Sequence, residues 1–256
     1  VEQVDLYRNG RLQLAFTTPN RLYIIDRNGK NVERFPLEFK DKITQPLAVF
    51  DYDKQRNYRF LITQNKNLLM YNSKGQSVNG FKYVATQTVS SQPKHFRVRG
   101  KDYIAFSAGN QLNLLDRRGS IRVKVKESID FSGAGIYLYN SLFTTTNTKG
   151  NLIQVNTKGA VSLQNLGLDS KHDITSSSKT LVTRSDNKLS IKSNRVDLEY
   201  GSYSAPNLFY LGDKIYISIT DLQAQKIWLF DSQAKPLPNV PVFGTSAIDL
   251  ANADGD

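Results

Sequence analysis

In 256 residues the sequence has no cysteine, one methionine, one tryptophan and two histidines. Without cysteine there is no disulfide, no Cys-ligated zinc and no thiol nucleophile. No run approaches the roughly 18 uninterrupted apolar residues of a membrane helix, and no segment carries the 3.6-residue period of an amphipathic helix. The histidines are His95 in KHFRVRG and His172 in SKHDIT, both at polar strand or loop starts. His172 precedes Asp173, but neighbours on a strand point to opposite faces, so no catalytic pair is expected there. Both are read as surface histidines. No H-E-x-x-H, G-x-S-x-G or P-loop pattern occurs. Carboxylate pairs that meet only in the fold, as in glycoside chemistry, stay open. The single methionine is Met70 and residue 1 is Val, so the chain is expected to be a fragment of a longer protein.

The remaining composition is ordinary for a folded chain: 39% hydrophobic and 22% charged residues. Strand-favouring aromatics abound, with 13 Tyr and 13 Phe. The net charge of +11 raises the chance of an anionic partner. The most basic stretch is RRGSIRVKVK, residues 117–126. There Arg122, Lys124 and Lys126 alternate with Ile121, Val123 and Val125, the pattern of a half-buried strand with one charged face. It is read as a blade's protected outer edge, which charge shields from edge-to-edge pairing. Arg97, Arg99 and Lys101 extend that patch. The stretch lacks the interleaved aromatics of a single-strand nucleic-acid surface.

One eight-residue phrase recurs, an apolar run followed by a polar turn. It reads LYIIDRNG from Leu22, LLMYNSKG from Leu68, LNLLDRRG from Leu112 and LIQVNTKG from Leu152. Weaker copies are LSIKSNRV from Leu189 and IWLFDSQA from Ile227. The starts lie 46, 44, 40, 37 and 38 residues apart, the spacing of propeller blades. Asp or Asn at the fifth position suits the start of a tight turn, and Gly three residues on can take positive φ. A hairpin precedes each phrase: Val4 to Phe16 with Asn9-Gly10 as its turn, Phe96 to Phe106 turning at Gly100, Leu208 to Ile219 turning at Gly212. Ala48 to Ile62, Ile136 to Thr144 and Asp173 to Thr183 hold the same place. A fourth strand follows, such as Val32 to Phe39 or Ile121 to Lys126. The expectation is an all-β fold: one propeller domain over residues 1–256, with six four-stranded antiparallel blades or seven with the last partial. A further strand is expected from about Ser246.

The phrase LYIIDRNGK resembles the repeat of PQQ-like and WD40-like bacterial propellers over roughly residues 1 to 245. Quinone-binding members carry a Trp shortly after the turn of most blades; here Trp228 precedes the turn. The resemblance therefore implies a cofactor-free propeller, of the kind that acts as a scaffold in the cell envelope. The run FGTSAIDLANADGD at the C-terminus resembles the FG-GAP motif, in which Asp249, Asn252, Asp254 and Asp256 would offer oxygen ligands to Ca²⁺. It also matches AVFDYDKQRN from Ala48, and the first strand of a further blade is the preferred reading.

The function expected is a non-catalytic binding or scaffold module of an envelope or secreted protein of a Gram-negative bacterium, with a protein or glycan partner. No catalytic residue, cofactor or metal is assigned. A monomeric domain is expected, with a membrane reached only through an upstream anchor. The alternative is a propeller hydrolase or lyase acting on a polysaccharide. A nucleic-acid scaffold ranks third, on charge alone.

Overall fold

The computed structural model describes residues 1–249, as 24 strands in six four-stranded antiparallel sheets with no helix among them. They fall into two compact units, Val1–Ile129 with Thr157–Ala160, and Asp130–Asn156 with the residues from Val161 on.

The first unit holds three sheets. These are β1 (Glu2–Val4), β2 (Gln13–Thr18), β3 (Arg21–Ile25) and β4 (Leu37–Glu38); β5 (Ala48–Phe50), β6 (Arg59–Gln64), β7 (Asn67–Asn72) and β8 (Tyr83–Val84); and β9 (Lys94–Val98), β10 (Lys101–Ala108), β11 (Gln111–Leu115) and β12 (Ile121–Val123). The second unit holds β13 (Tyr137–Tyr139), β14 (Leu142–Thr146), β15 (Asn151–Val155) and β16 (Val161–Asn165); β17 (His172–Ser176), β18 (Leu181–Ser185), β19 (Lys188–Ile191) and β20 (Asn194–Asp197); and β21 (Asn207–Leu211), β22 (Lys214–Asp221), β23 (Lys226–Asp231) and β24 (Val242–Phe243). Every sheet runs up and down in chain order, the architecture of propeller blades.

The recurring phrase forms the third strand of each sheet and the turn that leaves it. In four of the copies the fifth-position side chain closes that turn. Asp116 Oδ1 accepts hydrogen bonds from Arg118 N at 2.8 Å and Ser120 N at 2.9 Å. Asp26, Asn72 and Asp231 do the same two and four residues on. Gly119 takes φ 81° there, a conformation that costs other L-residues about 1–2 kcal/mol. The sixth phrase has Ala234 in that place, at φ 66°.

The phrase's alternation buries its first and third positions. Leu22, Ile24, Leu68, Met70, Leu112 and Leu114 are each at most 3% exposed. Strand β6 shows why sheets of this kind need apolar residues on both faces. Phe60 and Ile62 pack with Val4, Leu22, Ile24 and Phe35, whereas Leu61 packs with Met70, Ile104 and Phe106. Burying each such side chain contributes about 1.5–3 kcal/mol. In the second unit, Val182, Leu189 and Ile191 pack likewise with Ile217, Ile219 and Phe230.

Several local expectations fail. Asn9-Gly10 is not a two-residue hairpin turn: Val4 pairs with Gln13, and residues 5–12 form a loop folded over Asp5. The segment from Val32 to Phe39 is a loop with only Leu37–Glu38 in the sheet; its apolar residues Val32 and Phe35 are buried as loop residues. Strand β12 ends at Val123, so Arg122 lies in it and Lys124 and Lys126 follow it. Ile121 is 62% exposed, not buried. The edge position of β12 in its sheet is as expected. Of the segment from Ser246, residues 246–249 form no strand, and the remainder lies outside the described residues.

Candidate functional site

The densest charged cluster lies in the first unit, around the β9–β10 hairpin. Arg99 and Gly100 both take positive φ, 48° and 77°, so the hairpin turns in two residues and places Arg97 opposite Asp102. His95, two residues earlier, is then the diagonal neighbour of Asp102, within reach of a long side chain. Asp102 is 7% exposed. Its Oδ1 lies 2.8 Å from His95 Nε2 and 3.4 Å from Arg97 Nη1, and its Oδ2 accepts from Arg117 Nε at 2.7 Å.

Arg117 leaves the β11–β12 turn and also reaches Asp53, after β5, with Nη2 at 2.6 Å and Nη1 at 3.2 Å. Its guanidinium sits over the Tyr52 ring, 4.7 Å from the centroid. The Tyr52 ring meets His95 edge-on at 4.8 Å. One guanidinium therefore joins two carboxylates and an aromatic face. The hydrogen bonds from Arg117 hold the Asp53 carboxyl below the usual carboxylate range, and those to Asp53 and Asp102 raise Arg117 further. Burial pushes the Tyr52 phenol well above its ordinary value.

His95 also borders an open cavity of about 320 Å³ beside the first strands of the unit's three sheets, lined by Glu2, Phe50, Asp51, Lys94 and Phe96 among others. Burial pushes the Lys94 ammonium below the usual lysine value. The Asp51 carboxylate is turned to its own loop, taking the N–H groups of Gln55 at 3.1 Å and Arg56 at 2.8 Å. Asp5 builds the equivalent loop after β1, accepting from Asn9 N at 3.1 Å and Gly10 N at 2.9 Å, with Arg56 at 2.9 Å as its ion-pair partner. Burial opposes ionisation of Asp5, but the Gly10 and Asn9 amides and Arg56 outweigh it and its pKa falls below the usual value.

Neither histidine is the surface residue expected. The His95 side chain is 18% exposed and held on Asp102. His172 lies 2.7 Å through Nδ1 from the Asp169 carbonyl and 2.7 Å through Nε2 from Thr146 Oγ1. The separation of His172 from Asp173 is as expected, since Asp173 pairs with Arg184 instead. Arg97 joins the Asp102 cluster, and Arg122 covers the Tyr103 ring at 5.4 Å. Of the suggested calcium ligands, Asp249 is described, whereas Asn252, Asp254 and Asp256 lie outside the described residues. Composition and motif gave no sign of the Asp102 cluster. The hairpin register from Arg99-Gly100 would have paired Arg97 with Asp102 and set His95 on the diagonal; nothing in the sequence points to Arg117 or Asp53.

No family model matches the sequence, and no curated protein matches it. Solved structures do. The chain is similar to BBS1N, seen in complex with ARL6DN, at TM-score 0.66 and 10% identity over 96% of this chain and 85% of that one. It is similar to BamB from Moraxella catarrhalis at TM-score 0.56 and 15% identity, covering 91% and 71%. It is also similar to virginiamycin B lyase from Staphylococcus aureus, a catalytically inactive H270A form with quinupristin, at TM-score 0.62 and 14% identity, covering 94% and 83%. These are β-propeller proteins, and the six four-stranded sheets here match the six blades expected from the repeat. At such identities the likeness extends to the fold alone.

Proposed function

We propose that the chain is a non-catalytic propeller module of a bacterial envelope or secreted protein, binding a protein or glycan partner. The observation that carries this reading is the closure of the Asp102 cluster. Both carboxylate oxygens of Asp102 are taken by His95, Arg97 and Arg117, and both of Asp53 by Arg117. A general base needs a lone pair aimed at substrate; here the carboxylates are spent on holding strands and loops together. The cavity beside His95 would then act as a recognition surface. BBS1N, of similar fold, takes a protein partner, which supports such use without identifying a partner for this chain.

A second reading is a polysaccharide hydrolase or lyase. Its support is the His95–Asp102 pair at a cavity edge, with Lys94 held below the usual lysine value beside it. One experiment separates the two. The purified chain is incubated with a panel of neutral and acidic polysaccharides, and both bound ligand and released products are measured. Binding without product is expected. Product formation that disappears in His95→Ala would replace the binding module with the enzyme.

A further inference from the structure

The second unit departs from its own pattern on one sheet face. On β22 and β23 the face packed into the core is Ile217, Ile219 and Phe230. On β18 and β19 one face carries Val182, Leu189 and Ile191 together with Arg184, whereas the other carries Leu181 with Thr183, Ser185, Lys188 and Ser190, and Lys192 follows the strand. The polar character continues inward, where His172 and Ser132 both reach Thr146 Oγ1. Places where a repeat abandons its apolar rule are where function is expected to override packing.

That polar face lines a cavity of about 230 Å³, closed on its other side by residues 166–169. Three cations border it: Lys188, Lys192 and Arg195. Among the described residues none of the three has an ion-pair partner. Asp197 stands opposite Lys188 in the sheet without forming a salt bridge. The one carboxylate at the cavity, Asp169, is committed to Ser185, whose Oγ donates to it at 2.7 Å. Thr183 and its cross-strand neighbour Ser190 also line the cavity, each offering a hydroxyl to a ligand. Three exposed cations against the one Asp169 carboxylate leave the cavity net positive, which favours an anionic ligand.

We propose that this cavity binds an acidic sugar residue of a glycan. Lys188, Lys192 and Arg195 take its carboxylate or sulfate, and Thr183 and Ser190 take its ring hydroxyls. The volume suits a single charged sugar, being below the roughly 300–1,000 Å³ of pockets for larger ligands. The proposal rests on the reading of the chain as a binding module and adds to the cavity beside His95 a second recognition site, with its ligand class. The two fail separately: turnover of a polysaccharide would overturn that reading, and loss of the pattern below would overturn this one.

The test is calorimetric titration at about 0.15 M salt with an oligomer of glucuronate, a glucose oligomer of equal length, and inorganic sulfate. The variants are Lys188→Gln/Lys192→Gln/Arg195→Gln, Ser190→Ala, and Lys101→Gln/Lys124→Gln/Lys126→Gln as a charge-matched control elsewhere, each checked for an unchanged thermal melt. Saturable binding of the acidic oligomer is expected, at least tenfold weaker in the triple variant, weaker in Ser190→Ala and unchanged in the control. The neutral oligomer and sulfate should bind at least tenfold more weakly. No saturable binding, equal binding by the triple variant, or sulfate binding as tightly as the oligomer would each overturn the assignment.

Discussion

Asp102→Ala removes the acceptor at the centre of the charged cluster and leaves His95 and Arg117 without it. A hydrogen bond to a charged group contributes about 1.5–3 kcal/mol. Asp102 makes two good ones, to His95 at 2.8 Å and Arg117 at 2.7 Å. The 3.4 Å contact from Arg97, whose side chain is 51% exposed, adds little, as exposed ion pairs generally do. The full sum is not expected, because Arg117 is 36% exposed and keeps Asp53. A loss of about 2–4 kcal/mol remains. A chain of this size shifts by about 2–4 °C per kcal/mol, so the melting temperature should fall by roughly 4–16 °C. Asp102→Asn keeps the shape and one acceptor and should lose less. Scanning calorimetry with urea unfolding gives the magnitude, and hydrogen exchange at β9 and β10 gives the location. A cycle with Arg117→Ala should yield a coupling of about 1–3 kcal/mol. If Asp102→Ala costs below about 1 kcal/mol, or the coupling is near zero, the cluster does not hold the hairpin and the argument for its structural use fails.

Three other outcomes follow from the geometry. Gly119→Ala should cost about 1–3 kcal/mol in urea unfolding, because φ is 81° and a Cβ there would sit 3.2 Å from the Lys82 carbonyl oxygen; an unchanged midpoint would contradict the turn. Phe106→Ala should cost about 3–5 kcal/mol by the same measurement, since the ring is fully buried, whereas Ile121→Ala, 62% exposed, should stay within about 0.5 kcal/mol. The depressed carboxyls of Asp53 and Asp5 bind fewer protons folded than unfolded below the ordinary value of 3.8. Their contribution is therefore complete above that pH and lost as pH falls through the folded values. Melts at pH 5 and pH 3 should show it, and Asp53→Asn should flatten the difference.

The blade repeat was legible because one strand phrase obeys two local rules at once, alternate burial and an Asx-closed turn. Loops that carry core residues were not. Phe35, Leu37 and Phe39 alternate as a strand would, yet Phe35 buries itself from a loop, and periodicity records burial rather than hydrogen bonding. The Asp5 and Asp51 loops were missed because the carboxylate captures amides four and five residues on, a spacing that Asn9-Gly10 disguised as a tight turn. The fifth phrase, LSIKSNRV, read as a weak copy for a physical reason now visible. Its Ser190 and Lys192, with Lys188 just before it, line a cavity, whereas the sixth copy turns Phe230 into a core.

The two kinds of loop differ in how freely they could be exchanged. Around Asp26, Asn72, Asp116 and Asp231 every side-chain bond to the backbone closes within the segment itself, two and four residues on. Such a segment carries its own fold instructions, so it could be transplanted from one sheet to another, or replaced by a binding sequence between the same anchor residues. The loop after β1 has no such autonomy, because Asp5 also holds Arg56 from the next sheet. A designer grafting new loops onto this scaffold would begin at the exits of β3, β7 and β23, and would leave alone the entrances of β2 and β6 and the exit of β11, whose Arg117 holds Asp53 and Asp102.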